Sequence, residues 1–114
     1  MVFGYKTNND FEFPVFMMIG ELIGRQQAND LVAEVDKLIA EGKSKFILDM
    51  SQLKYINSSG LSILVVLLTK ARKNEGDIAI SNVTQKVKEL LVITKLNSVF
   101  AVTKDIESAI KKLK

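Results

Sequence analysis

The stretch Asp49-Met50-Ser51-Gln52-Leu53-Lys54-Tyr55-Ile56-Asn57-Ser58-Ser59-Gly60-Leu61 joins two different patterns of hydrophobicity. On its amino side, Phe46–Met50 (FILDM) is a short apolar run of strand formers and predicts a central strand. On its carboxyl side, Leu61 to Leu68 is apolar nearly all round and predicts a helix from about Ser59 to Lys73, buried between a sheet and its neighbours. Ser51–Asn57 between them reads as a loop. A strand, a loop and a buried helix in that order are the repeating unit of an α/β fold. Asn57 and Ser58 are both good N-cap types, because their side-chain oxygens accept from the free amides of a first helical turn. On that reading Ser58 is a cap and Gly60 lets the backbone pack closely. The same position has a second use. A helix N-terminus offers unpaired amides and a partial positive charge, so a serine there can take a phosphate, with its roughly 1.5 to 2 negative charges, without unfolding the domain.

Working outward, Pro14 opens an apolar run in which Val15–Ile19 predicts a strand, preceded by a weaker strand at Val2–Lys6 and a turn at Asn8–Asp10. Ala28, Leu31, Val32, Val35, Leu38 and Ile39 recur at spacings of three and four, predicting a helix from about Gln27 to Glu41 that Gly42 ends. Downstream, Asn74 to Asp77 is a turn and Ile78–Ile80 a strand. Thr84 caps a helix whose apolar face is Val87, Leu90 and Leu91. Val99–Val102 predicts a final short strand, and Thr103 or Asp105 caps a last helix to about Leu113. The alternation predicts an α/β fold: a mixed sheet of four to five strands with about four helices packed on it. Right-handed crossovers bring the loops that follow the strands to one edge. Met17 and Met18, adjacent in a strand, point to opposite faces as packing residues. Asp49, with no second carboxylate beside it, reads as a hydrogen-bonding brace for the loop.

The chain has 114 residues, 47% hydrophobic and 25% charged, which fits one soluble domain spanning 1–114. It has no cysteine and no histidine. That inventory excludes disulfides, thiolate or imidazole metal sites, cysteine nucleophiles and Ser-His-Asp triads. With no tryptophan and 7% aromatics, a base-stacking platform is poorly supplied. The net charge of +3 gathers at Lys104, Lys111, Lys112 and Lys114. These alternate with Ile106, Ala109, Ile110 and Leu113 at helical spacing, as a solvated helix face does, so no direct contact with nucleic acid is expected. No glycine-rich phosphate loop occurs, and no cofactor or metal is expected. An enzyme would have to work with carboxylates, lysines and hydroxyls alone, and no residue stands out for that task, so the expectation is a binding protein. The start MVFGYKTNND lacks the features of a targeting segment, and the longest apolar runs, Phe13–Ile23 and Leu61–Leu68, fall short of the ~20 residues of a membrane span. A cytoplasmic protein without membrane insertion is expected.

Taken together, Gly20-Glu21-Leu22 after a strand, Phe46–Met50 followed by Leu53 and Ile56, Asn57-Ser58-Ser59-Gly60-Leu61, and Leu96 through Phe100 resemble the STAS domain of the bacterial anti-sigma-factor antagonists. The resemblance runs along nearly the whole chain and is most specific at the serine pair. It implies a STAS-like single domain that works by binding. In that family the unmodified domain captures an anti-sigma factor, itself an ATP-dependent serine kinase, and so frees a sigma factor. The kinase phosphorylates the first serine of the pair, Ser58 here, and a serine phosphatase reverses the step. Asn57, Ser59, Gly60 and Leu61 then form the segment around the acceptor, and Glu21 and Leu22 lie on a neighbouring loop of the partner surface. Two residues depart from the family's habit: Asn57 stands where an aspartate is usual, and Ile23 where a polar or acidic residue is usual. Those departures suit an alternative, a constitutive STAS adaptor in a transporter or signalling complex with no phospho-switch.

Overall fold

Two antiparallel strands, β1 (Gly4–Asn8) and β2 (Val15–Leu22), open the computed structural model, which describes residues 2–114. Then follow α1 (Asn29–Ala40), β3 (Lys45–Ile56), α2 (Ser58–Lys73), β4 (Asp77–Ser81), α3 (Gln85–Ile93), β5 (Ala101–Thr103) and α4 (Ile106–Leu113). The five strands lie in the order β1-β2-β3-β4-β5, and every pair after the first is parallel. Each parallel step moves the same way across the sheet, so right-handed crossovers put all three connecting helices on one face. The larger core fills that side: Phe16, Leu48 and Ile80 of successive strands meet Leu31 and Val35 of α1, Leu64 and Leu67 of α2, and Leu91 of α3. No strand follows α4, and that helix covers the opposite face, setting Ala109 and Leu113 on Val15, Ile47 and Ala79. The expected mixed sheet with four helices is present, with five strands.

The loop expected at Ser51–Asn57 is instead the second half of β3. Its inward residues are Phe46, Leu48 and Met50, then Leu53 and Ile56, a spacing of two, two, three and three. Two bulges cause the change. From Met17↔Asp49 to Ile19↔Gln52, β2 advances two residues and β3 three; from Gly20↔Leu53 to Glu21↔Tyr55, they advance one and two. Each extra residue flips the alternation, which erases the period-two signal in the sequence. Asp49 braces the first bulge, accepting from the Ser51 backbone N–H at 2.9 Å. At the second, Gly20 has φ +91°, and a Cβ there would meet the Val2 carbonyl.

Other boundaries shift by a few residues. β1 begins at Gly4 rather than Val2, and β2 runs on to Leu22. A 3-10 turn at Arg25–Ala28 precedes α1. Another at Leu96–Ser98 takes up residues before β5, so Val99 and Phe100 lie outside the strand, with Phe100 still buried in the core. Asp105, not Thr103, caps α4: its carboxylate accepts from the Ser108 N–H at 2.8 Å, which holds the carboxyl below the usual carboxylate range. Thr103 turns its hydroxyl to the Ile80 carbonyl at 3.0 Å.

Candidate partner-binding site

The carboxyl ends of β2 and β3 lie side by side, with Leu22 opposite Ile56, and both chains leave the sheet there. β3 passes into α2 through Asn57, whose backbone is extended at φ −110°, ψ −173°. The Asn57 Oδ1 accepts from the Gly60 N–H at 2.9 Å, and the Leu61 N–H bonds the Asn57 carbonyl at 2.9 Å, starting the helical ladder. Asn57 is therefore the cap, and Ser58 is the first helical residue. The Ser58 side chain is exposed, and its hydroxyl has no hydrogen-bond partner among the described residues. Its carbonyl accepts from the Ser62 hydroxyl at 3.0 Å. Ser59 is exposed beside it.

The loop after β2 is tied to this helix start. The Asn57 Nδ2 donates to the Ile23 carbonyl at 3.2 Å, and the Ile23 N–H donates to Gln27 Oε1 at 2.9 Å. A Cβ on Gly60 would strike the Leu22 carbonyl and come within 2.6 Å of Ile56 Cγ1. The absence of a side chain at residue 60 thus sets how closely α2 can approach the end of β2.

The positions singled out in the sequence sort into two groups. Ser58 and Ser59 are exposed, and Glu21 and Asn57 are half-buried, so these four reach the surface. Leu22, Gly60 and Leu61 do not: Leu22 is fully buried and Leu61 only 5% exposed, both within the main core. In this fold these three cannot present side chains to a partner; they hold the surface in shape. Two residues not singled out as contacts in the sequence are apolar and exposed at the same place, Ile23 (44%) and Tyr55 (42%). Nothing in the local pattern marks Tyr55, because its outward direction depends on the bulge between Leu53 and Tyr55. Along α2, Ser58, Ser62, Val65 and Thr69 form a narrow exposed stripe, while seven positions of the helix are buried. A shallow groove of about 290 Å³ separates that stripe from the 3-10 turn and is lined by Gly24, Arg25, Ser59, Ser62, Ile63 and Val66.

Chemically, the site is an exposed surface with a free hydroxyl at a helix start. Among the described residues no cluster of three or more acidic side chains is placed to hold a metal ion, and no helix is long and apolar enough to cross a membrane. The STAS domain family model matches residues 5–109, which takes in most of both core faces and the whole of this site. The chain belongs to the STAS domain family. This STAS domain is 26% identical over 88 residues to BtrV of Bordetella bronchiseptica, assigned as an anti-sigma factor antagonist, a match covering 77% of this chain and 76% of that one. Among solved structures, phosphorylated SpoIIAA, a Bacillus cell fate determinant, aligns with a TM-score of 0.73 at 17% identity, covering 97% of this chain and 100% of that one. A Thermotoga maritima protein assigned as an anti-sigma factor antagonist aligns with a TM-score of 0.76 at 24% identity, over 97% of this chain and 93% of that one. At such identities the solved structures speak for the STAS fold alone.

Proposed function

We propose that this STAS domain, spanning 1–114, is an anti-sigma factor antagonist whose unphosphorylated form binds an anti-sigma factor with serine kinase activity and so releases a sigma factor. Phosphorylation of Ser58 switches the binding off, and a serine phosphatase restores it. The observation that carries this reading is the division of labour at the start of α2. Asn57 performs the capping, so the Ser58 hydroxyl is exposed and unengaged. A kinase can reach it without breaking a structural bond. The contact surface would be Ser58, Ser59, Ile23, Tyr55 and Glu21, with Asn57 holding the two segments together.

The energetics suit a switch. An unpaired charge buried at an interface costs about 2 to 5 kcal/mol, and about 1.4 kcal/mol is tenfold in affinity, so one phosphate weakens binding roughly 30-fold to several thousandfold. The helix N-terminus returns only about 0.3 to 1 kcal/mol in an exposed setting. The deciding experiment has two parts. Mass spectrometry of the chain purified from its own cells should find phosphate on Ser58. A pull-down with wild type and Ser58→Asp should capture a kinase with the first and not with the second. If both forms capture one and the same transporter or signalling component, the domain is instead the constitutive adaptor, the reading that Asn57 and the apolar Ile23 favour.

A further inference from the structure

The back face of the sheet, which α4 covers, carries two successive rows of side chains. The covered row, Val15-Ile47-Ala79-Ala101, is apolar. The next row is Lys6-Met17-Asp49-Ser81-Thr103, in direct register across all five strands, and its three parallel-strand positions after Met17 are all polar. Asp49 and Ser81, neighbours in that row, are also the only two buried polar side chains among the described residues. α4 begins at Ile106, so its first turn stands at the level of this row instead of covering it. A crevice of about 520 Å³ opens there, between that turn and the hairpin joining β1 to β2. Val15, Met17 and Ile106 give it an apolar side, the hairpin residues from Lys6 to Asp10 a polar one, and Asp49 lines it as well. Its volume is within the range of small-molecule sites.

The bracing role of Asp49 uses one oxygen. Oδ1 takes the Ser51 N–H at 2.9 Å and a longer contact from Asn82 Nδ2 at 3.4 Å. Oδ2 receives no hydrogen bond from the described residues. Asp49 is only 5% exposed yet lines the crevice, and Oδ2, unbonded to protein but still reached by solvent, is an acceptor free for a donor that enters there.

We infer that this crevice is a binding site for a small organic cation, an amidinium or ammonium on an apolar body, with Asp49 as its anchor. The charged head meets Asp49 Oδ2, and the body lies on Met17, Val15 and Ile106. The inference is independent of the Ser58 reading.

Benzamidine is the probe, and benzamide, its neutral near-isostere, is the control. Titrated into isotopically labelled protein, benzamidine should shift the amide signals of Val15, Met17, Asp49 and Ile106 saturably, with an affinity of about millimolar for so small a ligand. Benzamide should bind roughly tenfold or more weakly. Asp49→Asn keeps an oxygen for the Ser51 N–H and should also lose roughly tenfold or more. Lys6→Glu, at an exposed position that leaves the fold intact, should tighten benzamidine about threefold and leave benzamide unchanged. No saturable shifts, equal binding of the two compounds, or no response to Lys6→Glu would each overturn the inference, as would undiminished binding to a folded Asp49→Asn.

Discussion

At the scale of single residues, the site depends on Asn57 and Gly60, and each makes a measurable demand. Asn57→Ala removes the bond to the Gly60 N–H and the tether to the Ile23 carbonyl. A lost N-cap costs about 1 kcal/mol, so the urea midpoint should fall by that equivalent with the slope unchanged. Gly60→Ala sets two effects against each other. Helix propensity favours alanine by about 1 kcal/mol, but the new methyl meets the Leu22 carbonyl, a backbone atom in the sheet that cannot turn aside. Overpacking of this kind costs about 1 to 3 kcal/mol. The clash wins, and the variant should unfold at lower urea than wild type. A Gly60→Ala protein of raised stability would show that α2 can ride outward at little cost, and that Gly60 does not fix the site.

At the scale of elements, the edge strand β1 is clipped to α1 by one carboxylate. Glu34 accepts from the Tyr5 hydroxyl and from the Thr7 hydroxyl, each at 2.9 Å. Burial, followed by the Glu34 contact, raises the Tyr5 phenol from 10.0 to about 12. In the unfolded chain the phenol loses its proton near 10, while the folded chain keeps it to about 12. Between those values the native state binds more protons, so raising the pH favours unfolding: this contribution is full below 10 and is lost by about 12. Tyr5→Phe should lower stability by roughly 1 kcal/mol at neutral pH, because the bond goes to a charged acceptor in a partly exposed place. It should also flatten the alkaline loss of stability relative to wild type, as read from urea midpoints on either side of that window.

At the scale of the whole molecule, folding and the proposed switch are separable. Ser58 lies outside both cores, at the positive end of α2, so Ser58→Asp should match wild type within about 0.5 to 1 kcal/mol. Its partner affinity should nevertheless fall roughly 30-fold or more. Parallel thermal melts and binding isotherms on wild type, Ser58→Ala and Ser58→Asp test this. Ser58→Ala should bind as wild type does and take no phosphate from the kinase. If Ser58→Asp melts far below wild type, its loss of binding is unfolding and the switch reading fails.

Local chemistry wrote much of this fold into the sequence. The three-and-four spacing from Ala28 to Ile39, the glycine after it, Thr84 before Val87 and the strongly apolar run of α2 each specify an element through contacts within a few residues. The serine pair at a helix start was legible for the same reason. Register and burial were not, because they depend on residues far apart in the chain. The two bulges in β3 exist only against β2, so Leu53 and Ile56 lost their alternation and a strand read as a loop. Which of Asn57 and Ser58 caps α2 was settled by the Ile23 carbonyl, thirty-four residues away from Asn57 in sequence, which takes the other end of the Asn57 amide. Leu22 and Leu61 sit beside the serine in sequence or on its neighbouring loop, yet packing draws them into the core while Ile23 and Tyr55 face solvent. Sequence fixes what a segment prefers locally; the outward or inward direction of a side chain is decided by the surfaces that close on it.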